Sequence, residues 1–301
     1  MKELIEYIKR HNIGKIDENE SLKKLTTYKV GGKARLVVYP KNEDRLIKLI
    51  SYLKGHSLKY KVIGNGSNLL FSDKDYDGVL IKLSALDDCE IRGAVVHVGA
   101  GYSLIKLSLQ TAKESLTGLE FASGIPGTVG GAVFMNAGAY KSDMGYVVRS
   151  VRVLTPEMQV IKLSNAEMKF HYRTSFLKTH PDYICLGCTI HLKRGKRAAI
   201  EEVIRERRKR RIVSQPLDYP SAGSVFRNPT NDFSGRLIEE VGLRGKRIGG
   251  AEISSKHANF IINKNKAKAQ DIKDLMDLAK KEVKDKFNIE LKEEQEFVNW
   301  E

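Results

Sequence analysis

Two glycine-bearing stretches hold the residues whose types and spacing could do chemistry. The first is "VIGNGSNLL", Val62 to Leu70, where an apolar run meets Gly64, Asn65, Gly66, Ser67 and Asn68. Glycines there let successive N–H groups turn toward one point and cradle an anion, and Ser67 and Asn68 add side-chain donors. The second is "GLEFASGIPGTVGGAVFMNAGAY", Gly118 to Tyr140, with six glycines and one charged residue, Glu120. It offers the Ser123 and Thr128 hydroxyls beside Gly124, Ile125, Pro126, Gly130, Gly131 and Ala132. Surface loops are usually polar, so a long uncharged one implies that something covers it. The first stretch is not a dinucleotide fingerprint, because Leu69 stands where the third glycine of G-x-G-x-x-G falls, and no Lys-Ser/Thr follows to make a P-loop. Either alone could be a turn packed only on protein. Together they favour a flat cofactor carrying a pyrophosphate.

Other chemistries are weaker. Cys185 and Cys188 form a C-x-x-C in "YICLGCTIHLK", which reads as a strand, so thiols three apart should face opposite ways and share no metal. No second C-x-x-C completes a tetrahedral site, and no metal site is expected. Three cysteines in 301 residues exclude a disulfide scaffold. The net charge of +15 favours anionic partners. The densest basic block, Lys193–Arg211, could be a nucleic-acid patch. It lacks aromatics between its charges, and reads better as a solvated helix with pairs such as Glu201 with Arg205. The start of the chain mixes charges into its apolar residues, and no run reaches the roughly 18 apolar residues of a spanning helix, so a cytosolic location is expected.

The elements that must position these residues mix helices and strand pairs without a steady βαβ repeat, which points to an α+β fold. Asn42 and Ser103 should cap helices in "NEDRLIKLISYLKG" and "SLIKLSLQTAKESLTG". "VVRSVRVLTPEMQVIKLS" reads as a hairpin turning at Pro156, and "SVFRNP", "GGAEIS" and "NFIIN" as short strands. "SGRLIEEVG" and "AQDIKDLMDLAKKEVKDKF" are helices, the latter with Ile272, Leu275, Met276, Ala279, Val283 and Phe287 on one stripe.

"TTYKVGG", "GNGSNLL", the Gly118–Tyr140 stretch, "YRTSF", "PSAGSVFRNP" and "SSKHANFIIN" occur in one order that resembles the UDP-N-acetylenolpyruvoylglucosamine reductase (MurB) family over nearly the whole chain, in its shorter type II form. The resemblance implies a two-part FAD-binding unit of the vanillyl-alcohol-oxidase (PCMH) type at 1–84 and 85–196. A C-terminal α/β substrate-binding domain at 197–301 would follow, with a basic connector helix near 197–212. It also implies tightly but non-covalently bound FAD, NADPH as reductant, and UDP-N-acetylglucosamine enolpyruvate as substrate, in a cytoplasmic monomer without nucleic-acid or membrane partners. Tyr28 and the residues of the two glycine-bearing stretches would contact the cofactor. Arg173 of "YRTSF" takes the role of the family's carboxylate-gripping arginine, a planar fork suited to that task. Ser224 of "AGSVF" takes that of its general acid and Glu294 that of its C-terminal glutamate, while Tyr172, Arg227 and Asn228 would contact substrate. The chain departs from the pattern at Asn65 and His171, where glycines are common, and at Gln295, where valine usually follows the glutamate.

Overall fold

The computed structural model describes residues 1–301. The chain forms two compact units: residues 1–18, 36–64 and 78–209 make one, and residues 19–35, 65–77 and 210–301 make the other. Segments 19–35 and 65–77, expected in a first FAD-binding subdomain, therefore pack with the C-terminal third. The reason is visible inside the second unit. Leu69–Phe71 pairs in parallel with Glu296–Val298, and both carboxylate oxygens of Asp73 accept the N–H groups of Ala269 and Gln270 at 2.9 and 3.0 Å.

The first unit is built on a five-stranded antiparallel sheet in the order Val160–Ser164, Val148–Leu154, Ile184–His191, Val95–Gly99, Cys89–Arg92. Val151 and Val153 are fully buried while Arg152 between them faces water, the alternation of a strand, and Arg149 falls out of that phase at the register shift between Val148 and Ser150. The two expected caps form: Asn42 accepts from the Arg45 N–H at 3.0 Å and Ser103 from the Lys106 N–H at 3.3 Å. Helix Glu43–Gly55 buries Leu46, Leu49, Ile50 and Leu53. A four-stranded sheet orders Gly14–Ser21, Lys33–Pro40, Tyr76–Lys82 and Tyr60–Ile63, and three of its strands carry the chain from one unit into the other.

Strand Ile184–His191 corrects one expectation. Cys188 pairs with Val151 and Cys185 with Val153, so Leu186 is an extra, bulged residue. A bulge shifts the alternation by one, and both thiols come to one face. Both are buried, and burial pushes Cys185 up to about 12 and Cys188 well above an ordinary thiol. Thiols held protonated this way are poor nucleophiles and poor ligands.

The second unit packs helices Ser234–Glu240 and Ala269–Phe287 on the three-stranded sheet Arg247–Ile248, Ala251–Ile253, Ile261–Asn263. Ile272, Leu275, Met276, Ala279 and Val283 of the long helix are buried as their spacing predicts; Phe287 is only partly so. The basic helix, Arg197–Ser214, buries only Ile200 and Ile204. Its ion pairs include Arg197 with Glu201 at 2.7 Å and Arg205 with Glu202, so Glu201 looks one turn back rather than to Arg205.

Candidate active site

In the first unit, the Gly118–Tyr140 stretch folds as a turn of 3-10 helix, Glu120–Gly124, a half-exposed loop, and a short helix, Val129–Met135, not foreseen amid its glycines. Thr128 caps that helix, accepting the Gly131 N–H at 3.2 Å. The N–H groups of Ile125, Gly127, Val129 and Gly130 also donate within the chain, to Ala122, Ile125, Tyr102 and Ala100 at 2.8 to 3.1 Å. These glycines thus serve closeness more than anion binding. A Cβ on Gly130 would lie 2.8 Å from the Ala100 Cβ, and one on Gly64 would lie 2.7 Å from Thr128 Oγ1. The two stretches singled out in the sequence meet at that contact.

A run of unspent N–H groups is in the other stretch. Asn65, Gly66 and Ser67 donate their N–H to nothing within the chain. Gly66, at φ +64°, supplies the left-handed residue that turns such groups together. No larger residue fits there, since a Cβ would lie 2.3 Å from the Leu25 carbonyl oxygen. Asn68 instead faces the C-terminal segment: its Nδ2 donates to the Glu294 carbonyl at 3.1 Å, and its own carbonyl accepts from the Glu296 N–H at 2.9 Å. Tyr28 is wholly buried, and its hydroxyl donates to Gln295 Oε1 at 3.0 Å. Its side chain is spent on the interior of the second unit, leaving any cofactor contact to its backbone.

Arg173 sits at the tip of a two-residue turn in the first unit, closed by reciprocal bonds between His171 and Thr174 at 3.1 and 3.0 Å. Its φ of +56° is one that a bulky side chain adopts at a cost of about 1–2 kcal/mol. The guanidinium donates from Nη2 to the Gly138 carbonyl at 2.9 Å and lies 5.1 Å from the Tyr172 ring centroid. What holds the turn is Asn136, 1% exposed: its Nδ2 donates to the His171 carbonyl at 2.8 Å and its Oδ1 accepts from the Gly145 N–H at 2.9 Å.

In the second unit, residues 225–227 lie antiparallel to 292–294 rather than forming a strand of their own sheet. The Glu294 N–H donates to the Val225 carbonyl at 2.8 Å and the Arg227 N–H to the Lys292 carbonyl at 2.9 Å, around the Phe226–Glu293 bridge. Glu294 thereby lies opposite Val225 in one short ladder, one residue along from Ser224. Glu293 is committed to Lys280 at 2.6 Å, and Glu296 lies in the strand beside Leu69. On the opposite side Asn259, 3% exposed, grips Phe226 at both ends: Oδ1 accepts its N–H at 2.9 Å and Nδ2 donates to its carbonyl at 2.8 Å. Arg227 Nε is buried without a hydrogen-bond partner in the chain. Asn228 turns to local duty, its Oδ1 accepting the Ser234 N–H at 3.2 Å as helix Ser234–Glu240 begins.

Asn136, Asn259 and Gln295 are the residues that sequence reasoning missed. Each lies within or beside a quoted motif, yet nothing local marks it, because its partners are 9 to 267 residues away.

Comparison with known proteins adds the following. Residues 34–164 match an FAD binding domain, and residues 215–298 match the C-terminal domain of UDP-N-acetylenolpyruvoylglucosamine reductase. Reductases of that name from Anoxybacillus flavithermus and Bacillus subtilis are 45% and 41% identical over 99% of this chain and 99% of their own. The crystal structure of the Thermus caldophilus MurB enzyme is similar with a TM-score of 0.80 at 33% identity, covering 94% of this chain and 98% of that one.

Proposed function

From the premise that the chain belongs to the UDP-N-acetylenolpyruvoylglucosamine reductase family, we propose how its own residues divide the reaction. The chain is an FAD-containing oxidoreductase of peptidoglycan precursor synthesis, with UDP-N-acetylmuramate dehydrogenase activity. When bound, FAD supplies hydride-carrier chemistry between NADPH and the enolpyruvyl double bond of UDP-N-acetylglucosamine enolpyruvate. The residues present suit it. The unspent N–H groups of Asn65, Gly66 and Ser67 would receive the pyrophosphate. The half-exposed, uncharged surface of residues 123–131 offers the Thr128 hydroxyl proton and close backbone approach to the rest of the cofactor.

Arg173 binds the substrate carboxylate. As hydride adds to the vinyl terminus, negative charge spreads onto that carboxylate, and a fixed guanidinium stabilises it without being able to give up its proton. Ser224 delivers the proton to the carbon bearing the carboxylate, completing reduction of the double bond. Serine is a weak acid, but an enolate is a strong enough base to take its proton when the hydroxyl is well placed. Glu294 polarises the enolpyruvyl group from the neighbouring strand, while Tyr172 and Arg227 bind the rest of the substrate. The chain's charge of +15 would raise encounter rates with three polyanions, all of them cytoplasmic metabolites.

The observation that carries the assignment is the ladder that sets Val225, the residue after Ser224, opposite Glu294, with the Glu294 N–H on the Val225 carbonyl at 2.8 Å. The test separates the half-reactions by rapid mixing. Ser224→Ala should leave flavin reduction by NADPH intact and slow reoxidation by the enolpyruvyl UDP-sugar. Reoxidation at the wild-type rate would refute the proton-donor role.

A further inference from the structure

A serine hydroxyl transfers a proton only from a held position, and Ser224 lies in a turn that belongs to no regular sheet. Its downstream side is gripped by Asn259. Its upstream side is held by one side chain, Gln295, which is 4% exposed. Gln295 Nε2 faces three successive carbonyl oxygens, those of Ala222 at 3.2 Å, Gly223 at 3.4 Å and Ser224 at 3.4 Å. Gly223, at φ +74°, lets these carbonyls converge on one nitrogen. The other end of the amide is fixed by Tyr28, whose hydroxyl donates to Oε1 at 3.0 Å. Burial raises the Tyr28 pKa, so the phenol stays a donor at every working pH. A donor on Oε1 decides which way the amide lies and commits Nε2 to the carbonyls.

We infer that Gln295, oriented by Tyr28, is a positioning residue that sets the Ser224 hydroxyl for proton transfer. The inference rests on Ser224 being the proton donor. Gln295 acts through the Ala222–Ser224 backbone and needs no substrate contact of its own. Its essential property is the N–H donor, which an ionised carboxylate of the same shape lacks and a protonated one regains.

The test uses the FAD-loaded full chain and four variants: Gln295→Leu, Gln295→Glu, Tyr28→Phe and Ser224→Ala. Flavin reduction by NADPH should stay within about twofold of wild type in all four. Reoxidation by the enolpyruvyl UDP-sugar should slow by roughly tenfold to a hundredfold in Gln295→Leu, the scale of a small misplacement of a reacting group. In Gln295→Glu the rate should recover as pH falls and the carboxyl gains its proton, an acid limb that wild type lacks. Without substrate, hydrogen exchange at the Val225 and Phe226 N–H groups should speed up in Gln295→Leu and Tyr28→Phe. If Gln295→Leu does not fold, Tyr28→Phe, which removes one hydroxyl, decides by the same readouts. Wild-type reoxidation in Gln295→Leu, beside a slowed Ser224→Ala, would overturn the positioning role alone. So would a Gln295→Glu enzyme as slow in acid as at neutral pH, because a purely structural role would not follow the donor. A Ser224→Ala enzyme that reoxidises normally would remove the premise as well.

Discussion

Replacing Asn259 with alanine should cost about 3 kcal/mol of stability in the second unit. The amide contributes two hydrogen bonds to Phe226, at 2.9 Å and 2.8 Å, while the bond from the Val225 N–H to the Asn259 carbonyl survives because it is main chain. Phe226 is 1% exposed, so its N–H and carbonyl would be left without partners in a dry place. Each such group costs about 1–3 kcal/mol, so two cost about 2–6 kcal/mol, and partial entry of water lowers the sum into the lower half of that range. Trp300 reports on this unit. It is the single tryptophan of the chain, and its indole N–H donates to the Leu70 carbonyl at 2.8 Å. Urea unfolding followed by its fluorescence should therefore shift to lower denaturant for Asn259→Ala with the slope preserved. Since the chain has two compact units, a probe inside one of them is required for the number to mean anything. A loss below about 1 kcal/mol would refute the reasoning, because it would show that water or a shifted strand replaces the clamp at little cost.

Four further outcomes are expected. Asp73→Ala removes the carboxylate that holds the N–H groups of Ala269 and Gln270, and should cost about 1–2 kcal/mol in the same fluorescence assay. His257 is half-buried and its pKa is lowered, first by that partial burial and further by Arg244, with a backbone hydrogen bond and Glu239 opposing. The unfolded chain therefore protonates first, and stability that is complete above about pH 6.5 should decline as pH falls toward the depressed folded value, a limb that His257→Asn removes in thermal melts at graded pH. Gly66→Ala forces a Cβ to 2.3 Å from the Leu25 carbonyl at φ +64°, and should lower the flavin-to-protein absorbance ratio of the purified protein. Of the three cysteines, the two buried ones should resist a thiol reagent at pH 8 until the chain is unfolded.

Legibility followed the range of the interactions. Asn42 and Ser103 were readable as caps because their bonds reach only three residues ahead, and the long C-terminal helix because its apolar stripe is periodic. Helix Val129–Met135 was hidden because Gly130 and Gly131 have low helix propensity and it is tertiary contact with residues 100 and 102 that stabilises it. The facing of Cys185 and Cys188 turned on one bulged residue, and such register shifts leave no trace in composition. Arg173, Ser224 and Glu294 were nameable only through whole motifs, since an arginine, a serine and one acid among several carry no signal alone. The amides that hold them were not nameable at all: an asparagine or glutamine becomes informative only when its distant partners are known.

The way the second unit is assembled has a consequence for how the protein is made. Tyr28 waits for Gln295, 267 residues later, and the strand at Leu69–Phe71 waits for Glu296–Val298. At about 5–20 residues per second, these segments emerge from the ribosome roughly 10–50 seconds before their partners. During that interval the apolar side chains of Leu22, Leu25, Val30 and Leu70 have no completed core to enter. Biosynthesis thus passes through a stage in which half of a core is held open, and the much later segment around Gln295–Trp300 is among those that close it.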